Sequence, residues 1–144
     1  MTVGLPDLAA MQALGARIAA QLKPGDVVAL SGPLGSGKTT LARAIIGALG
    51  HEGEVPSPTF TILETYELDP PLVHADFYRL ESPREAEELG LDDYREGAAL
   101  IAEWPERAGG FAREPGCLSI GLEIAEHGRK AIVERGRDWL GRMP

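Results

Sequence analysis

The chain has 144 residues, of which 44% are hydrophobic and 25% charged, and it carries a formal net charge of -8. That length fits one domain over residues 1–144, the composition is too apolar for disorder, and the negative charge opposes autonomous binding to a phosphate backbone. No apolar run is long enough to span a membrane and the N-terminus lacks a basic, apolar leader pattern, so the expected location is cytoplasmic, with no membrane partner. The single cysteine, Cys117, excludes an intrachain disulfide or a thiolate metal cluster and reads as a buried core thiol beside Leu118 and Ile120.

Leu8, Met11, Leu14, Gly15, Ile18, Ala19 and Leu22 recur at helical spacing, predicting a helix that opens at Pro6 and stops at residues 23–26. Val27, Val28, Ala29 and Leu30 form an unalternating apolar run, the pattern of a parallel strand covered on both faces. A glycine-rich turn follows, and then a helix over 39–49 with Leu41, Ala42, Ile45, Ile46 and Leu49 inward and Gly50 at its end. Pro56 and Pro58 exclude helix, and residues 60–67 suit a strand. Asp69, Pro70 and Pro71 make a turn before a further strand over 72–75. Ser82 is placed to cap a helix starting at Pro83, with Glu85 as the acid of a capping box. Residues 98–102 repeat the buried-strand pattern. Residues 117–124 and 129–133 pair as an antiparallel hairpin about His127 and Gly128, with helix as the alternative after His127.

Between Glu81 and Glu96 there are seven carboxylates against Arg84 and Arg95. This reads first as a solvated helix face and alternatively as a docking surface for a basic partner.

Gly32, Pro33, Leu34, Gly35, Ser36, Gly37, Lys38 and Thr39 match G-x-x-x-x-G-K-[ST] between a predicted strand and a predicted helix. Glycines permit the concave backbone whose N–H groups converge on a polyphosphate, so Gly32, Leu34, Gly35, Ser36, Gly37, Lys38, Thr39 and Thr40 are the expected nucleotide contacts. Lys38 reaches the β- and γ-phosphates, and the Thr39 hydroxyl is the expected ligand of Mg²⁺. Pro33 lies ahead of the phosphate-holding residues. Such a site also needs an acid at a neighbouring strand end, and both Asp76 and Glu103 close apolar runs. Either serves as a metal ligand, directly or through water. Thr59 lies where related nucleotidases place a γ-phosphate-sensing loop. Trp104 stacks on a base or packs, Arg79 touches phosphate or, in the plainer reading, pairs with nearby acids, and His74 reads as a core or hydrogen-bonded histidine. No arginine stands out as a finger in cis. The expected fold class is α/β, a three-layer P-loop NTPase-like domain with a mixed, partly parallel central sheet and antiparallel strands toward the C-terminal edge.

The phosphate loop, Val-Pro-Ser-Pro-Thr-Phe at 55–60, His-Ala-Asp-Phe-Tyr-Arg-Leu at 74–80 and Ile-Ala-Glu-Trp-Pro-Glu at 101–106 together resemble the TsaE (YjeE) family over nearly the whole chain. The resemblance implies a bacterial P-loop ATPase, using ATP and Mg²⁺, of tRNA N6-threonylcarbamoyladenosine synthesis. It further implies TsaB and TsaD as sibling proteins, tRNA reached indirectly through their complex, and ATP turnover that resets or activates that complex. Lys38, Thr39, Thr59, Asp76 and Glu103 carry over as its site residues. Pro33 and the stretch after His127 depart from the pattern. A small-molecule kinase and a nucleotide-dependent interaction module without catalysis are the competing readings. No guanine-reading Asn-Lys-x-Asp occurs, which favours ATP.

Overall fold

The computed structural model describes residues 1–55 and 63–142. Seven strands form one sheet: β1 (Thr2–Leu5), β2 (Val27–Ser31), β3 (Leu63–Tyr66), β4 (Leu72–Asp76), β5 (Ala99–Glu103), β6 (Cys117–Ile124) and β7 (Arg129–Arg135), in spatial order β1-β7-β6-β2-β5-β4-β3. The four central strands are parallel, while β3, β7 and β1 run antiparallel to their neighbours. Helices α1 (Leu8–Gln21) and α2 (Lys38–Ala48) cover one face. The short helices α3 (Pro83–Glu88) and α4 (Leu91–Arg95), with a 3₁₀ turn at Pro105–Ala108, lie on the other.

Alternation along each strand divides the core into these two layers. Val28, Leu30, Ile101, Leu118 and Ile120 meet α1 and α2 through Leu14, Ile18, Leu41 and Ile45. Val27, Ala29, Leu100 and Ala102 face Phe77, Ala86, Leu91 and Phe111 on the other side. Burial on both faces explains why the central strands read as continuous apolar runs. Cys117 is buried as expected, and that burial pushes its thiol up from the ordinary value.

Local details differ from the sequence reading. Asp7, not Pro6, sets the start of α1, its carboxylate accepting from Ala10 N–H at 2.8 Å. Ser82 precedes α3 without a side-chain cap, and Glu85 accepts instead from Glu81 N–H at 3.0 Å. The acidic segment breaks into two short helices at Gly90. Strand β1 went unread because four residues containing a glycine carry no periodic signal, and pairing with β7 alone defines it. The hairpin of β6 and β7 forms, so the helix alternative after His127 is replaced by strand.

The C-terminal segment closes the end of β2 opposite the phosphate loop. Trp139 is fully buried and donates from Nε1 to Gly116 O at 2.8 Å, while the Arg142 guanidinium lies 4.6 Å from its ring centroid. Arg142 also pairs with the buried Asp26 at 2.5 Å, and Asp26 accepts from Lys23 N–H at 2.7 Å. Trp139→Ala empties this site and is expected to lower folding stability by about 3–5 kcal/mol, measured by urea denaturation.

Candidate active site

Strand β2 ends at Ser31 and the chain turns through the glycine-rich loop into Lys38, the first residue of α2. At Gly32 φ is +139°, and a Cβ there would collide with the Leu122 carbonyl. Only glycine turns this close to β6. Lys38 is buried, its Nζ donating to the carbonyls of Gly32 at 2.7 Å and Pro33 at 2.9 Å. Pro33 thus contributes the carbonyl that proline retains. The same ammonium stands 4.4 Å from the centroid of the Trp104 ring, within cation–π range. Burial pulls the Lys38 ammonium down from its ordinary pKa, against the charges of Glu103, Asp76 and Glu106, which raise it.

The acids come from the next two strands. Asp76 and Glu103 are direct partners in the β4–β5 ladder, and Glu103 is the partner of Leu30 at the end of β2. Parity along the strands puts His74, Asp76 and Glu103 on the α2 face. There Thr39 Oγ1 donates to Glu103 Oε1 at 2.7 Å, and His74 Nε2 lies 2.6 Å from Glu103 Oε2. Tyr78 N–H donates to Asp76 Oδ1 at 2.9 Å. All three side chains are buried. Burial pushes the Asp76 carboxyl above its ordinary pKa; the Tyr78 N–H opposes that shift and the Glu103 charge adds to it.

Trp104, which follows β5, holds φ +56° and ψ +52°, the one non-glycine residue with positive φ among the described residues. Such a conformation costs about 1–3 kcal/mol and collects at functional sites. It places the ring 4.9 Å from that of Tyr78, over Lys38.

A cavity of about 550 Å³ opens above these groups. Of the residues read from the sequence, Leu34, Gly35, Gly37, Lys38, Thr39, Thr40, Asp76 and Trp104 line it. Gly32, Ser36 and Glu103 do not line it; Ser36 is fully buried, and Glu103 accepts from Thr39, which does line it. Thr59 lies outside the described residues. Three further residues join the lining: Tyr78, Arg79 and Arg129. Arg79 makes no ion pair among the described residues, so its expected pairing with nearby acids does not form and its charge stays at the cavity.

Arg129 had no local signal, since a basic residue after a hairpin turn reads as surface. Gly128, at φ +80°, packs against the Leu5 and Pro6 backbone where a Cβ would collide, and this close approach aims Arg129 at the phosphate loop. Its guanidinium donates to Gly35 O and to Gly128 O, each at 3.0 Å. A second cavity of about 240 Å³, lined by Leu5, Asp7, Leu8 and Met11, shares Gly37, Thr40 and Arg129 with the first.

A glycine-rich loop leading from a central parallel strand into a helix, with acids ending the next two strands, defines a P-loop NTPase-like α/β domain. The crystal structure of YdiB from Bacillus subtilis has this fold at a TM-score of 0.75 and 30% identity, covering 92% of this chain and 82% of that one. The family profile described as threonylcarbamoyl adenosine biosynthesis protein TsaE matches residues 5–132. Proteins titled tRNA threonylcarbamoyladenosine biosynthesis protein TsaE are similar in sequence. The one from Streptomyces coelicolor is 46% identical over 67% of this chain and 68% of its own. The one from Haemophilus influenzae is 36% identical over 82% of this chain and 79% of its own. The chain belongs to the TsaE family, a family of tRNA threonylcarbamoyladenosine biosynthesis.

The raised pKa of Asp76 fixes the sign of a pH effect. The fold holds a proton on Asp76 more tightly than the unfolded chain does, so this contribution to stability is complete below the unfolded pKa and is lost as pH rises through the folded one. Asp76→Asn, measured without metal or nucleotide, is therefore expected to match the parent protein in acid. It should become the more stable of the two as pH rises toward neutrality, read from urea midpoints across that range.

Proposed function

We propose that this chain binds ATP with Mg²⁺ at the phosphate loop and hydrolyses it, and that the turnover resets or activates a complex of TsaB- and TsaD-type siblings during tRNA threonylcarbamoyladenosine synthesis. The observation that carries the reading is the hydrogen bond from Thr39 to Glu103, which couples the first turn of the loop helix to the acid ending the neighbouring strand. In P-loop ATPases a threonine and an acid so placed hold the metal on the phosphates.

The donor set suits magnesium. Thr39, Asp76 and Glu103 offer only oxygen, the donor type Mg²⁺ prefers. Among the described residues no group of three or more His, Cys, Asp or Glu is arranged to hold a metal alone. That fits an ion that arrives with its phosphates and keeps several waters. Thr39 would hold it directly, and Asp76 and Glu103 would do so directly or through water. Held there, magnesium would supply neutralisation of charge on the phosphate oxygens.

Lys38 leaves the Gly32 and Pro33 carbonyls to reach the phosphates, beside the Trp104 ring that already lies against its ammonium. Thr59 supplies the γ-phosphate-sensing hydroxyl. The second cavity, apolar at Leu5, Leu8 and Met11 and continuous in its lining with the first, suits the adenine. Arg129 donates to two carbonyls at the rim of the site. Hydrolysis by the chain alone is slow in this reading and is stimulated by partners that complete the site.

One observation weighs against a kinase with an arginine-bearing lid. The segment that would form the lid buries Ala86 and Leu91 in the layer away from α2, and the acids of α3 and α4 dominate it.

The test is the rate of Mg-ATP hydrolysis by the chain alone and with TsaB, TsaD and a tRNA transcript. Turnover is expected to rise with the siblings, and Lys38→Ala to lower it by about 100-fold or more. Equal turnover with and without the siblings overturns the partner-activated reading. Glu103→Ala should abolish both turnover and support of the modification reaction; a variant that still supports modification marks a binding module instead.

A further inference from the structure

His74 sits in the middle of β4 with no part exposed to solvent. Its Nδ1 is buried without a hydrogen-bond partner among the described residues, whereas Nε2 lies 2.6 Å from Glu103 Oε2. An unpaired buried polar atom is costly, and an aliphatic side chain of similar volume would avoid that cost between Leu72 and Ile101. The imidazole therefore has to be understood through the one bond it makes. A carboxylate only accepts, so Nε2 is the donor in this bond.

Both oxygens of Glu103 are engaged, Oε2 by His74 and Oε1 by the Thr39 hydroxyl at 2.7 Å. With two donors on opposite oxygens, the carboxylate is fixed in rotation as well as in position. The consequence reaches the hydroxyl. Thr39 spends its only hydrogen on Glu103, so its lone pairs are left for the cavity that Thr39 lines. Released from His74, Glu103 could rotate away, and the Thr39 hydroxyl would lose the acceptor that orients it.

Resting on the nucleotide reading above, we propose that His74 is a positioning residue for magnesium: it locks Glu103, which turns the Thr39 hydroxyl to present its oxygen to a cation held on a nucleotide. Its partner is a divalent cation bound with a nucleoside triphosphate. Outer partners of metal-site groups commonly govern metal affinity by about 10–100-fold.

The test uses the full chain, with ATPγS as the probe. Binding is followed by calorimetry in EDTA and across a magnesium titration, alongside thermal melts. His74→Leu fills the volume without a donor, His74→Gln keeps an N–H at similar reach, and His74→Asn has an amide too short to meet Glu103. Expected are an unchanged ATPγS affinity in EDTA for all three and a magnesium half-saturation raised about 10–100-fold in H74L and H74N. H74Q should recover most of that loss. The comparison of H74Q with H74N stands even where H74L melts early, because both are polar and differ in reach. Wild-type magnesium dependence in H74L and H74N overturns the positioning role, as does an equal loss in H74Q and H74N. Wild-type protein that binds no ATPγS, with or without magnesium, overturns the nucleotide reading and this inference with it.

Discussion

The hydrogen bond between Thr39 and Glu103 joins residues 64 positions apart, and the site exists only while the sheet keeps its register. Glu103 is opposite Leu30 on one side and Asp76 on the other. A slip of β5 by one residue would turn its carboxylate to the α3 face and bring Ala102 or Trp104 toward the loop helix. The two-sided apolar burial of β2, β4 and β5 is what resists that slip, because each strand would exchange the residues of its two packed layers. Core packing and site geometry are thus one constraint.

Around that bond the fold concentrates charge where water is scarce. Asp76 and Glu103 bring two carboxylates beside one ammonium, Lys38, and each is buried. The shift of Asp76 toward its protonated form and of Lys38 toward its neutral form both begin with desolvation. Trp104 adds a backbone conformation that nothing but its surroundings sustains. These features oppose stability, and the surrounding sheet over-determines them. Lys38, folded onto its own loop carbonyls, satisfies its donors within the chain itself.

Both ends of β2 are finished by distant chain. At its C-terminal end Arg129 reaches the loop from β7 because Gly128 tucks against Leu5 and Pro6. At its N-terminal end Asp26 is held by Arg142, and Trp139 fills the space beneath Gly116. The family match spans residues 5–132, and this closing segment follows it. The central strand carrying the phosphate loop is therefore anchored from the sheet edge and from the C-terminus together.

The strand, loop and helix from Val27 to Ala48 were legible because their signals are local: an apolar run, a glycine pattern and a helical stripe. The two acids at strand ends and the C-terminal hairpin were legible for the same reason. The three-layer α/β class, the phosphate-loop motif and the placing of Asp76 and Glu103 at neighbouring strand ends could be read from the sequence, since each rests on residues close together in the chain. Only the folded chain shows that β1 exists, that Glu103 lies behind Thr39 while Asp76 lines the cavity, that Arg129 reaches the cavity, and that His74 meets Glu103. Those facts depend on register and on contacts between distant segments, and periodicity along the chain carries no record of which strand will lie beside which.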